Sequence, residues 1–340
     1  MRYTFVNKLL LFPLYFTLKF RHYLFDKGIF KSRKFDVPII SIGNISVGGT
    51  GKTPHTEFLI RELLPKYKVA VLSRGYGRKT RGFRIVDADN KVSDVGDEPL
   101  QMKKKFSDII VAVCEKRVKG VEALMALPEE QRPTVILLDD GFQHRWISPS
   151  TNIVLIDFSL PLEKEYLFPI GKLRDLPEQI QRADIIIVTK CPDEISLEAR
   201  FEWEKRLRLS SKQRMFFSNI AYGEPESIFQ GADRRYIYSR FAILITAIAN
   251  PRPLIYHLLS DYKIIAKMAF RDHHNFTTSE VSRINKLAGK WPKAVIYTTE
   301  KDAQRLMAKN KLSDNVKSRI FYIPIEVSII NKPESGINFI

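Results

Sequence analysis

Cysteine is nearly absent: Cys114 and Cys191 are the only two among 340 residues, and neither sits in a C-x-x-C or Cys/His cluster. The cysteines thus suggest neither a disulfide framework nor a zinc site, and a reducing cytoplasm is the simplest home. Membrane-spanning runs are also missing. The apolar stretch Leu9 to Leu18 falls short of the roughly 20 residues that cross a bilayer, and Pro13 lies inside it. No small-residue cleavage site follows that stretch, which argues against a signal peptide. Acidic residues are outnumbered, 38 against 55 Lys and Arg, and the formal charge of +17 calls for an anionic partner. Repeats, low-complexity tracts and recognised nucleic-acid motifs do not occur, so no nucleic acid is expected as partner, and no obligate protein partner is inferred.

What is present is unevenly placed. Residues 1–35 carry eight Lys or Arg against the single acid Asp26, together with ten aromatic residues. At helical spacing Phe5, Leu9, Phe12, Phe16, Phe20 and Tyr23 form one stripe, with Lys8, Lys19 and Arg21 outside it. Rings that enter a headgroup boundary beside cations that meet anionic lipid describe an amphipathic membrane-associating segment. Packing of the same helix against the protein's own core is the alternative.

Val37 to Pro54, VPIISIGNISVGGTGKTP, places an apolar strand before a glycine-rich loop that ends in Gly51, Lys52 and Thr53. Glycines let successive N–H groups converge on phosphate oxygens, and the helix that follows aims its positive end at the same anion. The spacing G-x-x-x-x-G-K-[ST] asks for Gly where this chain has Ser46, but Gly48, Gly49 and Gly51 keep the loop flexible. Ser46, Val47, Gly48, Gly49, Thr50, Gly51, Lys52 and Thr53 are thus the candidate ATP contacts. Lys52 would reach the terminal phosphates and Thr53 would bind Mg2+.

Val135 to Gly141, VILLDDG, delivers Asp139 and Asp140 to the carboxyl end of a strand, where one of them would hold the metal beside Thr53. A second acidic pair, Asp97 and Glu98, lies in a loop shaped by Gly96 and Pro99; it is either solvated or poised to accept a proton or complete a magnesium shell. Arg74-Gly75-Tyr76-Gly77-Arg78 is a compact basic turn, and Asp272-His273-His274 follows an expected strand without an evident third zinc ligand.

Short Ile/Val runs alternating with helices predict an α/β fold with a mostly parallel, P-loop NTPase-like sheet covered on both faces, plus a smaller second α/β domain. The expected boundaries are 1–35 for the membrane-associating segment, 36–215 for the core domain, 216–239 for a linker or hinge, 240–325 for the smaller domain and 326–340 for a patternless tail.

The segments Asn44 to Pro54, Ser73 to Arg78, Val95 to Pro99, Asp139 to His144 and Asp272 to His274, in that order, closely resemble the tetraacyldisaccharide 4'-kinase (lipid A 4'-kinase) family. The resemblance extends over residues 1 to about 305 and includes the basic, aromatic amino terminus. It implies ATP and Mg2+ as cofactors and transfer of the γ-phosphate to the 4'-hydroxyl of an acylated glucosamine disaccharide 1-phosphate, making lipid IVA for lipopolysaccharide. It also implies peripheral attachment at the cytoplasmic face of the bacterial inner membrane and closure of the second domain over the site. By carry-over Asp97 is the base, assisted by His273, with His274 as the alternative histidine. Asp139 and Asp140 support metal and catalysis, Glu98 shares the metal, and Lys52 neutralises charge on the phosphates. Where the family shows Leu-Arg-Glu, this chain has Leu173-Arg174-Asp175, which leaves a metal role at position 175 open. Arg74, Arg78 and Arg117 are the arginines from which a 1-phosphate contact would be drawn. A P-loop NTPase working as a switch or chaperone without a lipid acceptor is the rival function.

Overall fold

The computed structural model describes residues 11–340 apart from 163–164, 249, 272–273, 308, 310, 331 and 333–335. The chain divides into two units, residues 1–220 with 327–340, and residues 221–326. In the larger unit the apolar runs become strands because each has two water-avoiding faces and is covered on both. They are β1 (Ile39–Asn44), β2 (Val69–Ser73), β3 (Arg84–Ile85), β4 (Ile110–Val113), β5 (Val135–Asp139), β6 (Thr151–Asp157), β7 (Ile185–Thr189) and β8 (Arg214–Tyr222). The smaller unit contributes β9 (Glu226–Ser227), β10 (Phe241–Thr246), β11 (Lys263–Ala269), β12 (Val295–Thr299) and β13 (Ile320–Ile323), and β14 (Ile325–Ile330) returns to the first sheet.

The first sheet runs β14-β8-β7-β6-β1-β5-β2-β4-β3. From β4 to β8 neighbouring strands are parallel, while β3 closes one edge antiparallel to β4. The chain leaves β1 toward β2 on one side and later returns to lay β6 on the other, so the strand order reverses beside β1. A crevice at the carboxyl ends of the strands is the usual ligand position in such sheets. Helix α1 (Phe12–Asp26) docks on this unit, α2 (Lys52–Leu63) follows the glycine loop, α3 (Asp97–Lys105) opens on the second acidic pair, and α4 (Arg117–Met125) and α5 (Leu197–Leu207) complete the cover. Phe58, Leu59, Ile60 and Leu63 of α2 are buried against Ile40, Ile42, Val71 and Leu137, each such side chain contributing about 1.5–3 kcal/mol by leaving water.

The second sheet runs β11-β10-β12-β13-β9, parallel except for the short β9, with α6 (Arg252–Leu259), α7 (Thr278–Lys290) and α8 (Glu300–Met307) beside it. One core gathers Ile243, Ile245, Val281, Ile284, Ile296 and Leu306, and another gathers Leu244, Leu254, Leu258, Val295 and Phe321.

Two segments differ from their sequence-based description. Residues 216–239 hold most of β8, the short β9 and a 3-10 turn at Arg234–Tyr238, so ordered structure replaces the irregular linker. Residues 326–340 hold most of β14, an edge strand of the larger sheet, and bury Ile337 and Phe339 in its core, Phe339 lying 6.3 Å from the Phe58 ring. No local period marks these positions, because their partners come from strands and helices far earlier in the chain.

Candidate functional site

Three turns meet at the carboxyl ends of β1, β5 and β2. β1 runs straight into the glycine loop, where Gly48 at φ +114° and Gly51 at φ +87° hold conformations that side chains with a Cβ rarely adopt. Gly51 then caps α2, whose first-turn N–H groups have no partner within the helix and so face outward. Val47 donates its own amide to the Lys172 carbonyl at 2.5 Å, and Thr50 donates its amide to Gly48 O at 3.0 Å. Ser46 is buried and bridges to Leu173, while the Thr50 hydroxyl accepts from Asn44 Nδ2 at 2.7 Å. Of the expected phosphate contacts, Gly51, Lys52 and Thr53 therefore occupy the helix entrance, whereas Ser46, Val47 and Thr50 shape the loop.

A Cβ on Gly43 would stand 2.7 Å from Phe142 Cβ, so glycine lets the turn after β5 close against β1 and carry its acids with it. Asp140, at φ +51°, sits in the left-handed region that non-glycine residues seldom occupy. Its carboxylate is held by the Arg174 fork, Nη1 donating to Oδ2 at 3.1 Å and Nη2 to Oδ1, and Lys52 Nζ stands 3.7 Å from Oδ1. Arg174 also donates to Asn44 Oδ1 at 2.5 Å, which ties the glycine loop, the acidic turn and the 167–174 loop together. Burial alone would raise the Asp140 pKa, but Arg174 and Lys52 hold it down at about 2.

Asp139 is 2% exposed and accepts from Ser73 Oγ at 3.1 Å and weakly from Thr56 Oγ1 at 3.4 Å. Burial, then the neighbouring charges of Glu98 and Asp140, push its pKa up to about 6. Lys52 and Arg117 pull the other way without offsetting this, and a divalent cation beside Asp139 would favour its ionised form. Among the described residues no three His, Cys, Asp or Glu side chains converge as an all-protein metal centre. Magnesium typically takes only one or two protein carboxylates beside water, hydroxyl and phosphate oxygens, so two carboxylates, Asp139 and Glu98, with the Thr53 hydroxyl are a donor set of the right chemistry for that ion.

Asp97 is 8% exposed and opens α3, with its Oδ1 accepting the Glu98 N–H at 3.0 Å. Gly96 at φ +94° turns the chain into this helix and packs against Gly75 and Tyr76, so the basic turn 74–78 and the acidic pair adjoin. Buried Glu57 fastens α3 to α2, accepting from Gln101 Nε2 at 3.0 Å and facing Lys105 Nζ at 2.8 Å. The helix that carries Lys52 and the helix that carries Asp97 are thereby held in register.

The remaining candidates separate by what they touch. Arg78 pairs with Glu115 at 2.6 Å and Arg117 is buried on the carbonyls of Cys114 and Asp139, so both brace loops, whereas Arg74 is exposed beside Tyr76, Lys79 and Arg81 along a cleft of about 400 Å³. Asp175 is fully buried, its Oδ1 accepting the Leu176 N–H at 2.9 Å and lying 2.7 Å from His22 Nε2, while Arg182 stands 3.9 Å from Oδ2. His273 lies outside the described residues. His274 bonds Glu280 at 2.8 Å, the residue that also closes the cap of α7, and stacks on Phe270.

Arg174, Ser73, Thr56 and His55 went unassigned in the sequence, and isolated polar side chains carry no local signal of a shared partner. His55 is 1% exposed, and burial, with Lys190 nearby, pushes its pKa down to about 4 despite the Gly51 carbonyl. A histidine neutral when folded but near 6.5 when unfolded contributes stability in full above pH 6.5 and loses it as pH falls toward 4. Urea titrations at pH 7 and pH 4.5 are therefore expected to differ by about 2 kcal/mol less in His55→Asn than in the parent.

A family model described as tetraacyldisaccharide-1-P 4'-kinase matches residues 8–338. The chain belongs to this kinase family. A tetraacyldisaccharide 4'-kinase of Phocaeicola vulgatus is 42% identical over 324 residues, covering 94% of this chain and 88% of that one. Another, from Porphyromonas gingivalis, is 40% identical over 318 residues, covering 92% and 89%. The crystal structure of LpxK from Aquifex aeolicus in complex with ATP matches with a TM-score of 0.71 at 28% identity, over 94% of this chain and 93% of that one. This member of the tetraacyldisaccharide 4'-kinase family is thus an α/β, ATP-dependent phosphotransferase, and the acceptor-free switch or chaperone is not favoured.

Proposed function

We propose that this kinase moves the γ-phosphate of ATP onto the 4'-hydroxyl of a tetraacylated glucosamine disaccharide 1-phosphate through the residues gathered beside β1 and β5. Lys52 and the first-turn amides of α2 bind the terminal phosphates and neutralise charge that builds on them. Asp97 accepts the proton of the 4'-hydroxyl as its oxygen bonds to phosphorus and the bond to the ADP oxygen breaks. Thr53, Asp139 and Glu98 would hold magnesium, which when bound offsets phosphate charge. Asp140, fixed by Arg174, keeps Lys52 in place. His273 takes the assisting role that the family resemblance implies, with His274, which bonds Glu280, as the alternative. The observation that carries this assignment is the Lys52, Asp140 and Arg174 cluster at the mouth of the glycine loop. Radiolabel from γ-labelled ATP should appear in the glycolipid; rapid acceptor-independent hydrolysis with no labelled lipid would overturn the assignment.

Acceptor chemistry also asks for a membrane surface, and α1 supports that partner. Pro13 sits in its first turn, where a missing N–H costs nothing. Tyr15, His22 and Phe25 bury one side, while Phe12, Phe16, Phe20 and Tyr23 share the other and are each at least half exposed, from 50% to 61%. Phe5, Leu9 and Lys8 lie outside the described residues, and no described helix is long and apolar enough to cross a membrane. Peripheral attachment at the cytoplasmic face of the inner membrane is accordingly part of the proposal. Replacing Phe12, Phe16 and Phe20 together by Ser should cut sedimentation with anionic phospholipid vesicles by about 10-fold or more while the melting temperature holds; unchanged sedimentation would remove α1 from that role.

A further inference from the structure

A loop that presents its N–H groups to phosphate must turn its carbonyls the other way, and a buried carbonyl needs a donor behind it. Two such donors stand behind this loop. The Thr50 carbonyl accepts from Thr189 Oγ1 at 2.9 Å, and the Gly51 carbonyl, which takes the His55 backbone N–H at 3.1 Å as the first helical bond, accepts in addition from His55 Nδ1 at 2.7 Å. The other ring nitrogen, Nε2, lies 2.8 Å from Ser218 Oγ on β8. A carbonyl can only accept, so Nδ1 carries the proton; Nε2 then accepts from the Ser218 hydroxyl, which fixes the tautomer. His55 also fills the space beside Gly51, since a Cβ on that glycine would stand 3.3 Å from Nδ1.

We propose that His55 is a positioning residue for nucleotide binding: its Nδ1–H, added to the helical bond from its own backbone N–H, fixes the direction of the Gly51 carbonyl to the rear and thereby keeps the left-handed turn that aims Lys52 and the first amides of α2 at phosphate. Ser218 orients the ring for this task. The signature G-x-x-x-x-G-K-[ST] ends at Thr53, so this support lies outside the motif that announces the loop. The inference rests on assignment of the loop to ATP. A histidine retained only to fill the core would give the same burial, and the two roles are told apart by replacing one ring nitrogen at a time.

Asparagine places an amide N–H where imidazole Nδ1 stands, and glutamine places one where Nε2 stands. His55→Asn therefore keeps the donor to Gly51, whereas His55→Gln keeps the contact to Ser218 and loses that donor. Binding of a fluorescent ADP analogue with magnesium, melting temperature, and the KM for ATP against kcat are measured on the full chain. Expected are affinity within about 3-fold of the parent for His55→Asn and weaker by about 10-fold or more for His55→Gln. KM for ATP should rise to match, with kcat at saturating ATP nearly unchanged. Equal affinities for the two variants, or losses that simply track their melting temperatures, would overturn the proposal. Should His55→Gln fail to fold, His55→Leu, which fills the space without a donor, is measured in its place with the same loss expected and the same parity overturning it. Absence of nucleotide binding by the parent would instead bring down the ATP assignment, and this inference with it.

Discussion

Lys52→Ala is expected to lower kcat by about 10³-fold while the chain still folds and melts within about 2 °C of the parent. Lys52 is half-buried at the entrance of α2, and its ammonium is 3.7 Å from Asp140. Removal leaves Asp140 in the Arg174 fork, so the acidic turn keeps a cationic partner and its left-handed conformation. What disappears is the lysine that the proposed function assigns to the terminal phosphates, where transferred charge must be neutralised. Steady-state phosphate transfer to the glycolipid measures the effect. Lys52→Arg is expected to recover only part of it, because a planar guanidinium does not replace a compact ammonium in a close cradle. Turnover within a few-fold of the parent would show that phosphate charge is offset elsewhere.

Asp97→Asn should lower turnover by about 10²-fold or more with nucleotide affinity preserved. The substitution changes charge and little else: the amide oxygen can still accept the Glu98 N–H that Oδ1 accepts now, so the start of α3 keeps its geometry. Glu57 continues to hold α3 against α2. Loss confined to kcat would mark a group that acts on the acceptor proton. Near-normal kcat would take Asp97 out of that role, and a parallel loss of nucleotide affinity would assign it to binding instead.

Lys52 is a residue that local pattern brings to notice, whereas Asp97 takes its role from the family resemblance, since an acidic pair in a loop carries little signal alone. An apolar strand, then glycines, then Gly51-Lys52-Thr53 is a continuous signal, and so is an apolar strand that ends in Asp139 and Asp140. Local sequence also foretells the exposed stripe of α1, since Phe12, Phe16, Phe20 and Tyr23 follow helical spacing and do lie on one open face. Arg174 is different. Its functional weight comes from Asn44 and Asp140, which lie 130 and 34 residues away, and no spacing rule connects the three. The same holds for Asp175, whose partner His22 lies 153 residues earlier in the chain. His274 shows how a neighbouring cap can claim a residue that composition alone leaves open.

By itself the sequence determined what periodicity and short motifs encode: strands buried on both faces, a phosphate loop, an acid pair at a strand end, and a basic aromatic helix at the amino terminus. Those features depend on neighbours within a few residues, where side-chain direction is set directly by the backbone repeat. Only the tertiary structure decided that Ile337 and Phe339 return to the first core, that Ser73 and Thr56 hold Asp139, and that His55 spans from Gly51 to Ser218. Each of those partnerships satisfies a buried group with one from a distant part of the chain. Such a partner is selected when the sheet closes, so it is written in the fold and not in any local run of residues.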